Sequence, residues 1–254
     1  MSHPSRRAFL KSASVLTAAT LAAPLAGLGA APRAARTFTL SLNAGNIGVS
    51  ATQKELLALA HQHGFEAISA IPHHLASFSA GEMQDFVGEM RQKNIQWGSA
   101  GLTVDFRKDE YKFQQDLALL PQFAQALQSV GATRMNTWIM PTHPDLPYLA
   151  NFRQHTARLR EIALVLENHG IRLGLEYVGP KTLMARSRYP FLRTMGETRE
   201  LIAETGQKNM GLVLDSFHWY CAEDTEADLL ALKNSDVVAC DLNDARADLS
   251  RDAQ

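Results

Sequence analysis

The feature that most constrains this chain is a rhythm: short apolar runs alternate with amphipathic stretches, one run succeeding another at roughly 25–40 residues. Residues 38–42, 65–70, 95–100, 133–140, 171–176, 210–215 and 237–241 read as strands. Helices fall between them. Thr52 with Glu55, Ser79 with Glu82 and Thr194 with Glu197 have the spacing of capping boxes, and Thr225 with Asp228 starts a short further helix. Residues 111–130 gather Phe113, Leu117, Leu120, Phe123 and Leu127 on one side, and residues 152–168 turn Leu159, Ile162 and Leu166 inward. Crossovers of this length join parallel strands. No glycine fingerprint of the dinucleotide kind follows the first strand, and no phosphate loop ends in Gly-Lys-Ser/Thr. An α/β fold of the TIM-type (β/α)8 barrel kind is therefore expected over a doubly wound sheet. Seven strands are countable, and only thirteen residues, mostly polar, follow Asp241, so the expectation is a barrel truncated at its C-terminus after strand 7.

The first 35 residues read differently. Arg6 and Arg7, with Phe9, Leu10 and Lys11 behind them, precede a weakly apolar Ala/Leu run that carries Pro24. A positive head before a moderately apolar stretch is the pattern of a bacterial signal peptide, and the adjacent arginines are of the twin-arginine type. The expected organisation is a leader over 1–35 and a barrel domain over 36–254. It implies passage through the twin-arginine export machinery, a periplasmic or secreted product, and no permanent membrane span.

Charge narrows the partners. The chain has 25 Lys and Arg against 26 Asp and Glu, and without the leader 21 against 26. An acidic surface repels polyphosphates, so no nucleic-acid partner is expected. Cys221 and Cys240 are too few for a disulfide framework.

Three acids end apolar strands: Glu176, Asp215 and Asp241. In a parallel barrel these ends open onto one rim, where catalytic groups collect. A carboxylate closing a buried strand is costly unless it is paired, hydrogen-bonded or metal-bound, and each of the three taken alone is as well explained as a helix cap or salt-bridge partner. Together they repel one another in a way a divalent cation relieves. Oxygen ligation suits Mg²⁺ or Mn²⁺, and a histidine tilts the choice towards Zn²⁺, Mn²⁺ or Co²⁺. His218, three residues past Asp215, either ligates, binds a substrate hydroxyl or packs beside Trp219. Trp219 and Trp138 form either a stacking wall for a sugar face or part of the core. Lys181 either neutralises an oxyanion or lies on the surface. Asn43 opens a polar loop after the first strand and joins these residues as a substrate-binding candidate.

The segments Leu-Glu-Tyr-Val-Gly-Pro-Lys at 175–181, Leu-Asp-Ser-Phe-His-Trp-Tyr at 214–220 and Leu-Asn-Asp-Ala at 242–245 resemble the sugar phosphate isomerase/epimerase family of xylose-isomerase-like TIM barrels. The resemblance implies that Glu176 binds metal and acts as an acid/base. It implies that Asp215 is a metal ligand and that His218 contacts substrate or metal. Asp241 stands where the family usually has a ligating histidine, followed by Asn243 and Asp244. A strand-eight glutamate, the family's second catalytic carboxylate, has no counterpart in this sequence. By resemblance the chain is expected to be a divalent-metal-dependent isomerase or epimerase of a sugar or polyol, working through an enediolate-type proton transfer. The alternative is a non-catalytic sugar-binding module on the same barrel. Self-association is compatible with either. A nuclease for abasic DNA fits poorly, because Asp241 is not a histidine and the domain is acidic.

Overall fold

Local capping sets the frame. In the computed structural model, which describes residues 37–254, Thr52, Ser79, Thr194 and Thr225 each accept the backbone N–H of the residue three positions on. Glu55, Glu82, Glu197 and Asp228 each reach back to the cap residue's N–H. These reciprocal bonds satisfy N–H groups that a helix start leaves open. The helix Gln53–His63 stops where Gly64 turns left-handed at φ 72°.

The strands are β1 Ser41–Leu42, β2 Ala67–Ile68, β3 Gln96–Trp97, β4 Ala100–Gly101, β5 Arg134–Ile139, β6 Thr142–His143, β7 Arg172–Tyr177, β8 Tyr189–Pro190, β9 Met210–Asp215 and β10 Val237–Asp241. β1, β2 and β3 form one parallel sheet; β4, β5, β7, β9 and β10 form another, pairing in that order. β3 and β4 lie three residues apart in the chain, so one short segment pairs with β2 through its first half and with β5 through its second. All seven expected strands are present, in parallel and in sequence order. The result is an α/β barrel whose five-stranded sheet is curled and open. Beyond Asp241 the chain continues through turns to the 3-10 helix Arg251–Ala253.

Alternation along each strand separates two environments. On the outer face Met135, Ile139, Leu173, Leu175, Tyr177 and Leu212 pack against Leu120, Leu127, Leu159, Ile162 and Leu166 of the covering helices. A smaller cluster joins Leu42 and Ile68 to Leu56, Leu57, Phe86 and Met90. The opposite face carries Gly174 and Gly211 in register. A Cβ on Gly174 would lie 2.7 Å from Val213 Cγ2 and 3.0 Å from Val238 Cβ, so the bare backbone lets the sheet curl. Glu176 and Asp215 follow on the same face at the carboxyl ends.

Several elements had no sequence signal strong enough to place them. The helix Tyr148–Glu167 begins after Pro147, four residues before the apolar periodicity does. Short helices Pro72–Ala76, Lys181–Met184 and Ser216–Ala222 follow strands directly, and β6 pairs antiparallel with β8 above the rim. Residues from Thr39 onward pack as one unit. Arg6, Arg7 and the leader expected over 1–35 lie outside the described residues. Among the described residues no helix is long and apolar enough to cross a membrane.

Candidate metal centre

The segment Asp-Ser-Phe-His passes from strand to helix without a loop because Asp215 caps the turn itself. Its Oδ1 accepts from Phe217 N at 2.8 Å and from His218 N at 3.2 Å. That turn brings the His218 ring back over the strand ends. Potential ligand atoms of Glu176, Asp215 and His218 all lie within 4.8 Å of one another. Asp215 is buried at 3% exposure, while the other two are half-buried.

The electrostatics of this cluster are those of a site short of positive charge. Burial pushes the Glu176 carboxyl up to about 8, and the charges of Asp215 and Asp241 add to the shift. Burial also raises Asp241, with Asp215 contributing. For His218 burial lowers the imidazole, against the pull of Asp215. Its Nδ1 is buried with no hydrogen-bond partner, and the Glu176 carboxyl has no hydrogen bond among the described residues. An imidazole with an unpartnered buried nitrogen, one of its nitrogens within 4.8 Å of two converging carboxyls, is the donor set a divalent cation takes. Two oxygens and one nitrogen fit Zn²⁺, Mn²⁺ or Co²⁺ better than Mg²⁺.

The other expected site residues divide. Asp241 stands in register with Asp215 on β10 and is electrostatically coupled to both acids, but it lies outside the group of close ligand atoms. Trp138 pairs in register with Glu176 and is 40% exposed at the barrel mouth. The Arg107 guanidinium lies 4.2 Å over the indole, Nη1 donates to Trp138 O and Thr137 Oγ1, and Nε pairs with Asp105. Trp219 packs against the main core instead of standing free. Lys181 is held by Asp252 at 2.7 Å and Glu223 at 3.5 Å, so its charge is already matched. Asn43 lines a cavity of about 600 Å³ with Ser69, Ile71 and His74, at the ends of β1 and β2; Glu176, Asp215 and His218 do not line it.

Of the other histidines, His74 and His143 accept backbone N–H groups through Nδ1, and His73 stacks edge-on against Phe123 at 4.4 Å. Sequence reasoning missed two residues that touch the site. Arg107 left no signal, sitting in a polar loop. Asn243 was visible only inside a short motif, yet its side-chain amide donates to Asp215 Oδ2.

A barrel with parallel strands in this order and an acid–acid–histidine cluster on its rim defines a class of barrels that collect chemistry at the strand ends. The match to a family model is direct: residues 57–253 fit the xylose isomerase-like TIM barrel, and the chain belongs to that family. Among solved structures it is similar to a xylose isomerase domain protein from Alicyclobacillus acidocaldarius. The two share 28% identity at a TM-score of 0.66, over 75% of this chain and 68% of that one. The fold is shared with the IolI protein, solved with a bound zinc atom, at 19% identity and a TM-score of 0.65, over 82% and 73% of the two chains. It is shared also with D-psicose 3-epimerase, solved in the presence of D-fructose, at 17% identity and a TM-score of 0.62, over 76% and 68%. No curated protein matches the chain.

Proposed function

We propose that the protein is a divalent-metal-dependent isomerase or epimerase of a sugar or polyol. One observation carries this reading: potential ligand atoms of Glu176, Asp215 and His218 converge within 4.8 Å. Family membership, the zinc of the IolI structure and the ketose epimerase among the similar folds support it. Glu176, Asp215 and His218 would hold the cation. When bound, that ion supplies Lewis-acid polarisation of a carbonyl and its neighbouring hydroxyl. The chain's own part is proton transfer and orientation. A carboxyl beside the polarised carbonyl would take a proton from carbon and return it. Of the two carboxyls in the cluster, Glu176 alone is free of hydrogen bonds among the described residues, so the proton is assigned to it. Trp138, fixed by Arg107 on one face and in register with Glu176, offers its indole as a wall for the apolar face of the sugar.

The binding-module reading rests on a specific observation. Both Asp215 oxygens are occupied by Phe217, His218 and Asn243, which leaves Glu176 as the single mobile proton carrier, with Asp241 more distant. Epimerisation with one base requires the intermediate to turn or a second base to come from Asp241. Incubation of the metal-loaded protein with ketoses in deuterium oxide separates the readings. Exchange of the hydrogen beside the carbonyl, lost in Glu176→Gln, is the expected result. Saturable binding without exchange would leave the binding module.

The leader is read as a twin-arginine signal, which would place the product in the periplasm or outside the cell. Substituting Arg6 and Arg7 by lysine and following the protein by cell fractionation tests this, retention in the cytoplasm being the expected outcome.

A further inference from the structure

We propose that Asn243 is a positioning residue that determines which lone pair of Asp215 a cation can use. This rests on the metal-site reading above. A carboxylate has about four lone-pair positions, two on each oxygen. On Asp215 Oδ1 both are occupied, one by Phe217 N–H and one by His218 N–H. Oδ2 accepts the Asn243 side-chain amide. One position is left, on Oδ2, and Asn243 fixes its direction. Asp215 therefore binds a cation through a single oxygen, the one Asn243 holds.

Asn243 is placed for this by bonds that do not involve its side chain. Its N–H donates to Ser216 Oγ at 2.8 Å, and Ser216 Oγ donates to its carbonyl at 2.6 Å. The loop after β10 is thus fastened to the first residue of the helix Ser216–Ala222, which carries His218. The side-chain amide is left over for Asp215, and loop anchoring does not require it. Two ligands, Asp215 and His218, are aligned by one residue two positions beyond Asp241. Partners that orient a metal ligand in this way typically change affinity about 10–100-fold when removed.

Titration of the purified chain with Mn²⁺ and separately with Zn²⁺, followed by calorimetry, tests the assignment without any substrate. Asn243→Ala should weaken both by about 10–100-fold while the melting temperature of the metal-free protein stays near wild type, because the Ser216 fastening remains. Ser216→Ala should lower the metal-free melting temperature and weaken binding less. Affinities within about twofold of wild type for Asn243→Ala would overturn the proposal. If Asn243→Ala does not fold, Asn243→Ser, which keeps polarity but cannot reach Oδ2, takes its place with the same expectation. A wild-type chain that takes up neither ion overturns the metal-site reading and this inference together; a wild type that binds and an unchanged Asn243→Ala overturn the inference alone.

Discussion

The Tyr177 hydroxyl donates to Asp224 Oδ2 at 2.6 Å, joining the last residue of β7 to the loop beyond the helix that carries His218. Tyr177 is fully buried on the outer face, directly after Glu176 on the inner one. Burial raises both groups. Tyr177→Phe keeps the packing and removes one donor from the Asp224 carboxyl, which retains the Met195 backbone N–H. A loss of about 1–3 kcal/mol is expected, read as a drop in melting temperature of several degrees. The metal affinity should fall less than in Glu176→Gln.

Cation binding should stabilise the fold. At a free ion concentration 100 times Kd, the gain is about 2.7 kcal/mol, or roughly 5–10 °C for a domain of this size. Glu176→Gln, Asp215→Asn and His218→Ala should each abolish the shift in differential scanning fluorimetry with Mn²⁺ or Zn²⁺. A shift that persists in all three would place the ion elsewhere.

Glu176 gives a pH signature of definite sign. Its carboxyl titrates at about 8 in the folded protein against 4.5 as the ordinary value. Between those values the folded state holds a proton that the unfolded state has released. The stability this contributes is complete below about 4.5 and is lost as the pH rises through about 8. Buried histidines, whose folded values are lowered, slope the opposite way at lower pH. The difference between wild type and Glu176→Gln isolates the carboxyl: metal-free wild type should lose stability relative to the variant from about pH 5 to 8 by urea unfolding. Cation affinity should rise over the same window, because the ligand must be deprotonated.

Gly179 sets the distance between the end of β7 and the helix Ser216–Ala222. A Cβ there would lie 2.1 Å from His218 O and 2.9 Å from Ala222 N, both backbone atoms that cannot swing aside. Gly179→Ala should cost about 3 kcal/mol, the upper end of overpacking penalties, and displace His218. Loss of Zn²⁺ affinity in a variant that still folds is the expected outcome of a metal titration. Unchanged affinity would show that His218 takes no part in binding.

The barrel was legible in the sequence because its signals are local. Strand alternation and four capping pairs each act within a few residues, and all seven strands fall where the alternation puts them. The acids at the strand ends were legible too, since a carboxylate closing an apolar run contrasts with everything before it. What stayed hidden depends on contacts distant in the chain. The fastening of Asn243 to Ser216 spans 27 residues, and the Arg107 stack on Trp138 spans 31. Lys181 looked available as a counter-charge for substrate because its partners, Glu223 and Asp252, are 42 and 71 positions away. Asp241 reads in the sequence like Glu176 and Asp215 and pairs in register with Asp215, yet it lies outside the group of close ligand atoms, a distance the sequence does not display.

The order of the parallel strands also has a temporal meaning. Within each parallel sheet every strand after the first pairs with the one before it, so both sheets are able to grow from their N-terminal side as the chain leaves the ribosome. Glu176 is then placed before Asp215, and Asn243 arrives last, after β10. On the proposed metal site, the grip on the ion would be completed only once residue 243 is in place, after the strands that carry Glu176 and Asp215.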